Sequence, residues 1–194
     1  MSTGRDRILV GLLFTSVLIN VALAHRLRQF NRLIGATPEK SLEAGTDVPP
    51  INAVDLRGQS RAIVYNNEAR ATVLYVFTPG CVWCARNMDN FKALVEKEGG
   101  QYRLIGLSLS EAGLTEYVAK NELKLPIYAR LSPETLKTYK LGSTPQTIVI
   151  SPEGKVLQDW AGAYVGDQKS QVEAFFHVSL PGLKELPKAE AAKN

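Results

Sequence analysis

Two cysteines, Cys81 and Cys84, are the residues of this 194-residue chain whose type and spacing most clearly suggest chemistry. They follow a continuous apolar run, Thr72–Phe77, that is typical of a buried central strand. The apolar spacing over Cys84–Lys97 predicts a helix directly afterwards. Because a thiol at a helix N-terminus faces free backbone N–H groups, it is stabilised as the thiolate that attacks disulfides.

This position also makes the two thiols inequivalent. We expect Cys81, before the helix, to be exposed and Cys84, one helical turn further on, to lie beneath it. One thiol can then attack a partner disulfide while the other waits to resolve the mixed disulfide. The pair is therefore interpreted as redox-active.

Other uses of a cysteine pair are weighed against this interpretation. A zinc or iron–sulfur site needs four ligands, which one chain with two cysteines supplies only in a symmetric dimer. A structural disulfide over so short a loop stabilises little, because it removes little entropy from the unfolded chain. Haem attachment requires a histidine after the second cysteine, and Ala85 stands there.

A proline well downstream of the cysteines is a second candidate feature. Thr144-Pro145 precedes the apolar run Gln146–Ile150. A proline that opens a strand after a short polar approach is a candidate cis peptide bond, although a trans turn proline is commoner.

The composition is that of a folded globular domain. It is 45% hydrophobic and 22% charged, which excludes disordered, collagenous and multi-span membrane proteins. The net charge is +4, but acids are dispersed among the bases, so no nucleic-acid partner is expected. The two histidines, His25 and His177, leave little for histidine-based metal binding.

The N-terminus carries a different signal. Ile8–Ala24 is 17 residues without a charge, with arginines on both sides. This predicts a transmembrane signal-anchor helix over residues 8–27, preceded by a short tail, residues 1–7. A signal peptide cleaved after Ala24 is the main alternative, and a buried core helix is a third. The arginine count does not decide the orientation.

The rest of the chain is divided into a linker (28–48), a folded domain (49–180) and a polar tail (181–194). The predicted strands are Ile51–Leu56, Ala62–Tyr65, Thr72–Phe77, Tyr102–Leu109, Gln146–Ile150 and Val156–Trp160. The predicted helices are Cys84–Lys97, Leu114–Leu123, Thr135–Tyr139 and Asp167–Val178, the last with Asp167 as N-cap. Strands and helices in this order predict a mixed α/β sheet.

Four stretches together resemble the membrane-anchored TlpA/ResA-like branch of the thioredoxin superfamily, over roughly residues 46–178. They are Val48–Leu56, Thr78–Cys84, Thr144-Pro145 and Ser151–Val156. The resemblance implies a thioredoxin-like fold, which is a central mixed sheet flanked by helices with an N-terminal β-hairpin extension. One transmembrane helix would precede it.

The resemblance also implies a thiol–disulfide oxidoreductase. Cys81 would be the nucleophile and Cys84 the resolving thiol. Pro145 would be cis, and the backbone of Thr144 would pair with an extended substrate segment. Trp83 would present a flat apolar contact to a partner, or simply pack. No metal and no cofactor beyond the redox-active disulfide are expected.

Relatives of this kind suggest location and partners. The catalytic domain would stand on the periplasmic side of a bacterial inner membrane and reduce disulfides of envelope proteins such as apocytochrome c. A membrane electron donor of the DsbD/CcdA type would reduce it again. Alternatives are a disulfide donor, a peroxide-reducing relative, and a copper chaperone of the same fold. Such chaperones generally have a wider cysteine spacing and a downstream histidine, whereas His177 lies in the predicted last helix, where a half-buried structural role is expected.

The chain departs from the family at positions that affect proton transfer. Tyr75 stands where thioredoxins keep a buried carboxylate, Asn87 where some relatives carry a glutamate, and Gly80 where a tryptophan is frequent. No proton acceptor for Cys84 is therefore evident. The nearby acids are expected to be solvated surface charges: Glu68, Asp89 and Glu96.

Overall fold

Strands and helices alternate along the computed structural model, which describes residues 16, 20, 41–66, 69–98 and 100–185. The described strands are Ile51–Asp55 (β1), Ser60–Ile63 (β2), Thr72–Phe77 (β3), Arg103–Ser108 (β4), Ile127–Ala129 (β5), Gln146–Ile150 (β6) and Val156–Ala161 (β7). The described helices are Val82–Arg86 (α1), Met88–Glu98 (α2), Leu114–Lys120 (α3), Pro133–Thr138 (α4) and Gly166–Phe176 (α5).

The strands form one mixed sheet in the order β2-β1-β5-β4-β3-β6-β7. Strand β3 runs parallel to β4 and antiparallel to β6, and β4 runs parallel to β5. All six residues of β3 are buried, as expected of a strand with neighbours on both sides and helices over both faces. The predicted mixed sheet flanked by helices is confirmed.

The two faces of β3 contact different parts of the core. Leu74 and Val76 belong to a cluster that includes the N-terminal hairpin and, at its edge, Leu136 of α4. Tyr75 and Phe77 point to the opposite face, where they cluster with residues of α1, α2 and α3. Because side chains alternate along a strand, this one element supports both layers.

The predicted N-terminal hairpin is present. Strands β1 and β2 pair antiparallel, with Ile51 opposite Ile63. The carboxylate of Asp55 accepts hydrogen bonds from the backbone N–H groups of Arg57 and Gln59, both at 2.9 Å. Gly58 has a φ of +80°, which the turn requires and which glycine adopts without strain.

The last helix begins earlier than predicted. Its N-cap is Val165, which makes no side-chain capping hydrogen bond, so the predicted N-cap at Asp167 is wrong. Asp167 lies instead in the first turn, where a negative charge interacts favourably with the helix dipole. Val172 and Phe176 are buried as the apolar spacing indicated.

The folded domain is longer at both ends than the predicted range 49–180. Leu42, within the predicted linker 28–48, is buried, and its N–H donates to Asp159 of β7 at 2.7 Å. Within the predicted tail 181–194, Gly182 N–H donates to Asn90 Oδ1 at 2.7 Å, and Lys184 N–H to Arg86 O at 2.8 Å. Polar composition does not indicate these segments, whose backbone N–H groups and the buried Leu42 side chain attach them to the domain.

No helix in the described residues is long and apolar enough to cross a membrane. The predicted tail 1–7 and transmembrane segment 8–27 lie outside the described residues, apart from Ser16 and Asn20.

Candidate active site

The two cysteines lie at the carboxyl end of the central strand. After β3, Cys81 N–H donates to Thr78 O at 3.0 Å, which closes a turn that leads into α1. Cys81 is the N-cap of α1, and its Sγ accepts a hydrogen bond from the backbone N–H of Cys84 at 3.1 Å. The strand–turn–helix arrangement predicted from the sequence therefore positions the pair.

The thiols have different surroundings. Both are free, and Cys81 is partly exposed whereas Cys84 has no exposed surface. The two thiols therefore differ in exposure, as expected, but Cys81 is partly covered where the sequence predicted an exposed thiol. A partner disulfide can reach only the Cys81 sulfur from solvent.

Hydrogen bonding lowers the pKa of Cys81 to about 6. The Cys84 thiol makes the largest contribution, and the Thr144 side chain and the backbone N–H groups of Cys84 and Trp83 add to it, while burial opposes them. The pKa of Cys84 is raised because its thiol donates to Cys81 and because it is buried. At neutral pH the pair therefore consists of a Cys81 thiolate and a Cys84 thiol.

The loop before β6 brings a distant segment to the cysteines. The Thr144–Pro145 peptide bond is cis, and the Thr144 carbonyl lies 3.3 Å from Cys81 Sγ. The loop after β7 is attached there as well, since Gly162 N–H donates to Pro145 O at 2.7 Å. Thr144 therefore lies against Cys81, and the loop after β7 is bonded to the residue that follows Thr144.

Trp83 is half exposed beside Cys81. The guanidinium of Arg86 lies 4.8 Å from the centre of the indole ring, a cation–π distance. Half of the tryptophan surface is covered and half is open, so the ring both packs and presents apolar surface to solvent. The ring is held by Arg86 and leaves apolar surface open next to the cysteines.

Residues that the sequence did not connect with Cys84 surround its buried side chain. Tyr75 of β3 and Tyr117 of α3 belong to the same buried cluster as Cys84. Tyr75 and Asn87 stand out in the sequence only as departures from a family pattern. Tyr117 gives no signal beyond the apolar spacing of its helix, because its proximity to Cys84 arises from tertiary packing.

The predicted helix Cys84–Lys97 is interrupted at Asn87. The Oδ1 atom of Asn87 accepts hydrogen bonds from Asn90 Nδ2 and from Tyr164 N–H, both at 3.0 Å. Asparagine side chains that bond to backbone groups compete with the helical pattern. The break separates α1, which carries Cys84, from α2.

Neither of the two described acidic residues that were considered as proton acceptors is buried with the Cys84 thiol. Asp89 is half-buried at the start of α2, Glu96 is exposed near its end, and Glu68 lies outside the described residues. His177 is exposed at the C-cap of α5. Within the described ranges, no group of three or more His, Cys, Asp or Glu residues is arranged to hold a metal ion.

Known proteins resemble both the sequence and the fold of this chain. It is 23% identical to the thiol-disulfide oxidoreductase ResA of Bacillus thuringiensis subsp. konkukian (strain 97-27) over 148 residues, which are 75% of this chain and 83% of that relative. The thioredoxin domain of a Bacteroides vulgatus thiol-disulfide oxidoreductase superposes with a TM-score of 0.55 at 22% identity, covering 70% of this chain and 99% of that domain.

StoA of Bacillus subtilis superposes with a TM-score of 0.52 at 18% identity, covering 65% of this chain and 98% of that structure. No protein-family model matches the chain. The structural similarities establish the thioredoxin-like fold, and the curated relative, a thiol-disulfide oxidoreductase, aligns with 75% of this chain. The chain is a thioredoxin-like thiol–disulfide oxidoreductase with ResA-like relatives.

Proposed function

We propose that this protein is tethered to a membrane and reduces disulfide bonds of envelope proteins through Cys81 and Cys84. The observation that carries the proposal is the contrast between the two thiols. Cys81 is partly exposed with its pKa lowered to about 6, whereas Cys84 is buried with its pKa raised. One sulfur is thus prepared to attack from the surface, and the other can react only with its neighbour.

The exchange proceeds in two displacements. The Cys81 thiolate attacks one sulfur of the substrate disulfide, that S–S bond breaks, and the other substrate sulfur leaves as a thiolate. Cys84 then loses its proton and attacks Cys81 Sγ, which releases the second substrate sulfur. The substrate gains two electrons from the pair and two protons, one from Cys84 and one from solvent, and Cys81 and Cys84 become a disulfide. A dithiol donor must return two electrons, and Cys84 must regain its proton, before the next cycle.

The acidity of Cys81 supports the reducing direction. A low thiolate pKa stabilises the reduced form and makes a pair more oxidising. The attacking thiol has a pKa of ~7 in thioredoxin and ~3.5 in the strong oxidant DsbA. With a pKa of about 6, Cys81 lies nearer to the reductant.

An extended protein segment fits the surface around Cys81. The Thr144 backbone lies beside the sulfur, and the loop bonded to Pro145 ends at Val165, which is as exposed as Trp83, at 50%. Three cavities of the described chain, of about 500, 330 and 150 Å³, are lined by other residues than the cysteines. These features favour a macromolecular disulfide, paired along Thr144 and contacted by Trp83.

The tether is proposed from the sequence of residues 8–27. The uncharged stretch Ile8–Ala24 is long enough for a short transmembrane helix with arginines at its ends. A reductant has disulfides to act on in an oxidising compartment, which supports a catalytic domain on the periplasmic side. Its electrons would come from a membrane donor of the DsbD/CcdA type, and its substrates would be proteins such as apocytochrome c.

The reduction potential tests the direction. The full chain, in detergent micelles, is equilibrated with thiol–disulfide buffers, and the fraction of the Cys81–Cys84 disulfide is measured by gel shift after alkylation. We expect a reversible two-electron transition at about −220 mV or lower, in the range of thioredoxin and glutaredoxins. A value near about −120 mV would make the protein a disulfide donor. Failure to cycle would refute the redox function altogether.

A further inference from the structure

Three buried polar atoms near Cys84 have no hydrogen-bond partner among the described residues. They are the hydroxyl oxygens of Tyr75 and Tyr117 and the Nδ2 amide nitrogen of Asn87. Tyr75 and Asn87 have no exposed surface, and Tyr117 is 8% exposed. An unpaired buried polar group is costly, so several at one place require an explanation.

These groups converge on Cys84 from three parts of the fold. Tyr75 comes from β3 and Tyr117 from α3, and both share a buried cluster with Cys84. Asn87 is the C-cap of α1, the helix that contains Cys84, and its side chain lies beside the Tyr75 hydroxyl, where it opposes the rise in the pKa of Tyr75. Negative charge on Cys84 raises the pKa of each tyrosine, after the larger effect of burial, which places both hydroxyls within electrostatic reach of the sulfur.

Packing fixes the positions of these donors. The Tyr75 ring stacks on Phe91 with centroids 3.7 Å apart, and the Tyr117 ring stacks on Phe77 at 5.2 Å. The Asn87 amide is oriented by its Oδ1, which accepts from the Tyr164 N–H, a bond that only an oxygen can accept. The Nδ2 group is therefore left available as a donor.

Among the residues whose burial is described, no charged side chain lies buried with Cys84 to take its proton. Wherever the structure describes burial, no Asp, Glu, Lys, Arg or His side chain is buried. The titratable groups that face Cys84 are Tyr75 from β3, Tyr117 from α3 and Cys81 from the turn before α1. Thr144, from the loop before β6, adds a neutral hydroxyl.

We propose that the hydroxyls of Tyr75 and Tyr117 and the amide of Asn87 form a neutral donor site that stabilises the Cys84 thiolate when the mixed disulfide is resolved. The inference rests on the proposed function. While Cys81 is a thiolate, the Cys84 thiol donates to it. Once Cys81 is bonded to substrate, Cys84 ionises toward the three donors and attacks Cys81 Sγ. The proton from Cys84 ends on the substrate thiolate that departs.

Donors that are already in place cost no reorganisation at the moment of reaction, and they act strongly in a site without water. This explains why the three atoms are left unpaired in the resting protein. Burying these three atoms without partners lowers the free energy of unfolding, and this loss is offset only when Cys84 carries a negative charge.

The full chain can be tested with 5,5′-dithiobis(2-nitrobenzoate) as the probe disulfide. When the Cys81 thiolate attacks the probe, its S–S bond breaks and one nitrobenzoate thiolate is released, while the other half stays bonded to Cys81. Cys84 then attacks Cys81 Sγ and releases the second nitrobenzoate thiolate. For Tyr75→Phe and Tyr117→Phe we expect the second release at pH 7 to slow by about 10- to 100-fold, with its pH profile shifted upward. The first release stays unchanged.

Tyr65→Phe is the matched control, because Tyr65 is a buried tyrosine in the opposite core cluster, bonded to Tyr139. It should leave both releases unchanged. Melting temperatures of the Tyr75 and Tyr117 variants should equal or exceed that of the wild type, because each substitution removes an unpaired hydroxyl. A second release with the wild-type rate and pH profile would overturn the inference, whereas loss of the first release would contradict the proposed function instead.

Discussion

Cys81→Ser is expected to lower the rate of disulfide reduction by on the order of 10³-fold or more, because it removes the only sulfur that solvent reaches. Cys84 cannot substitute for it, being buried with a raised pKa. The measurement is the turnover of the full chain with a protein disulfide and excess dithiol.

Cys84→Ser is the matched control for this experiment. It removes a sulfur of the same type but leaves the surface thiolate in place, so one substrate is attacked and remains attached. Turnover falls, yet one equivalent of substrate thiol is released per protein. If both variants released that first equivalent equally fast, or if Cys81→Ser kept its turnover, the assignment of roles would be wrong.

The second large effect concerns the pH dependence of Cys81. With its pKa at about 6 rather than the ordinary 9.0, Cys81 at pH 7 has a thiolate fraction roughly 90-fold larger than an ordinary thiol. Since only the thiolate is alkylated, the iodoacetamide reaction of the reduced protein should rise through a midpoint near pH 6. Mass spectrometry after short pulses at a series of pH values gives this profile.

Cys84→Ala identifies the cause of that low midpoint. The Cys84 thiol is the largest contributor to the lowered pKa of Cys81, and the substitution removes it while keeping the backbone N–H that donates to Cys81. The midpoint should therefore move upward. A wild-type midpoint near pH 9, or a midpoint that Cys84→Ala leaves unchanged, would contradict the account of thiol activation.

Much of the fold follows from local sequence patterns. The run Thr72–Phe77 is apolar throughout because β3 is covered on both faces, and it predicts the central strand with its observed bounds. The hairpin turn is equally local, since Asp55 and Gly58 supply the hydrogen bonds and the positive φ that it needs.

The elements that sequence analysis missed depend on distant contacts. Strand β5 has only three residues, Ile127–Ala129, which are too few to show a period, and it exists because β4 and β1 pair with it. The break at Asn87 is stabilised by a hydrogen bond from Tyr164, 77 residues away. Neither feature has a signature in its own stretch of the sequence.

In the candidate site, too, local sequence indicates some residues, and tertiary packing brings in the others. The position of Cys81 and Cys84 between a strand and a helix, with their spacing, indicated the pair, and the position of Pro145 suggested its cis bond. The acidity of Cys81 and the donors around Cys84 depend on tertiary packing, which brings Thr144 and Tyr117 to the pair. Without a carboxylate at the familiar positions, the sequence left the ionisation of Cys84 unexplained.

The central claim is that Cys81 is the atom that bonds to substrate, and covalent capture tests it most directly. The full-length Cys84→Ser protein is mixed with a disulfide-containing protein, and the adduct is mapped by mass spectrometry without reduction. The account predicts one equivalent of substrate linked to the peptide that contains Cys81, released by dithiothreitol. No adduct, or an equal adduct on Cys84 in the Cys81→Ser protein, would contradict it.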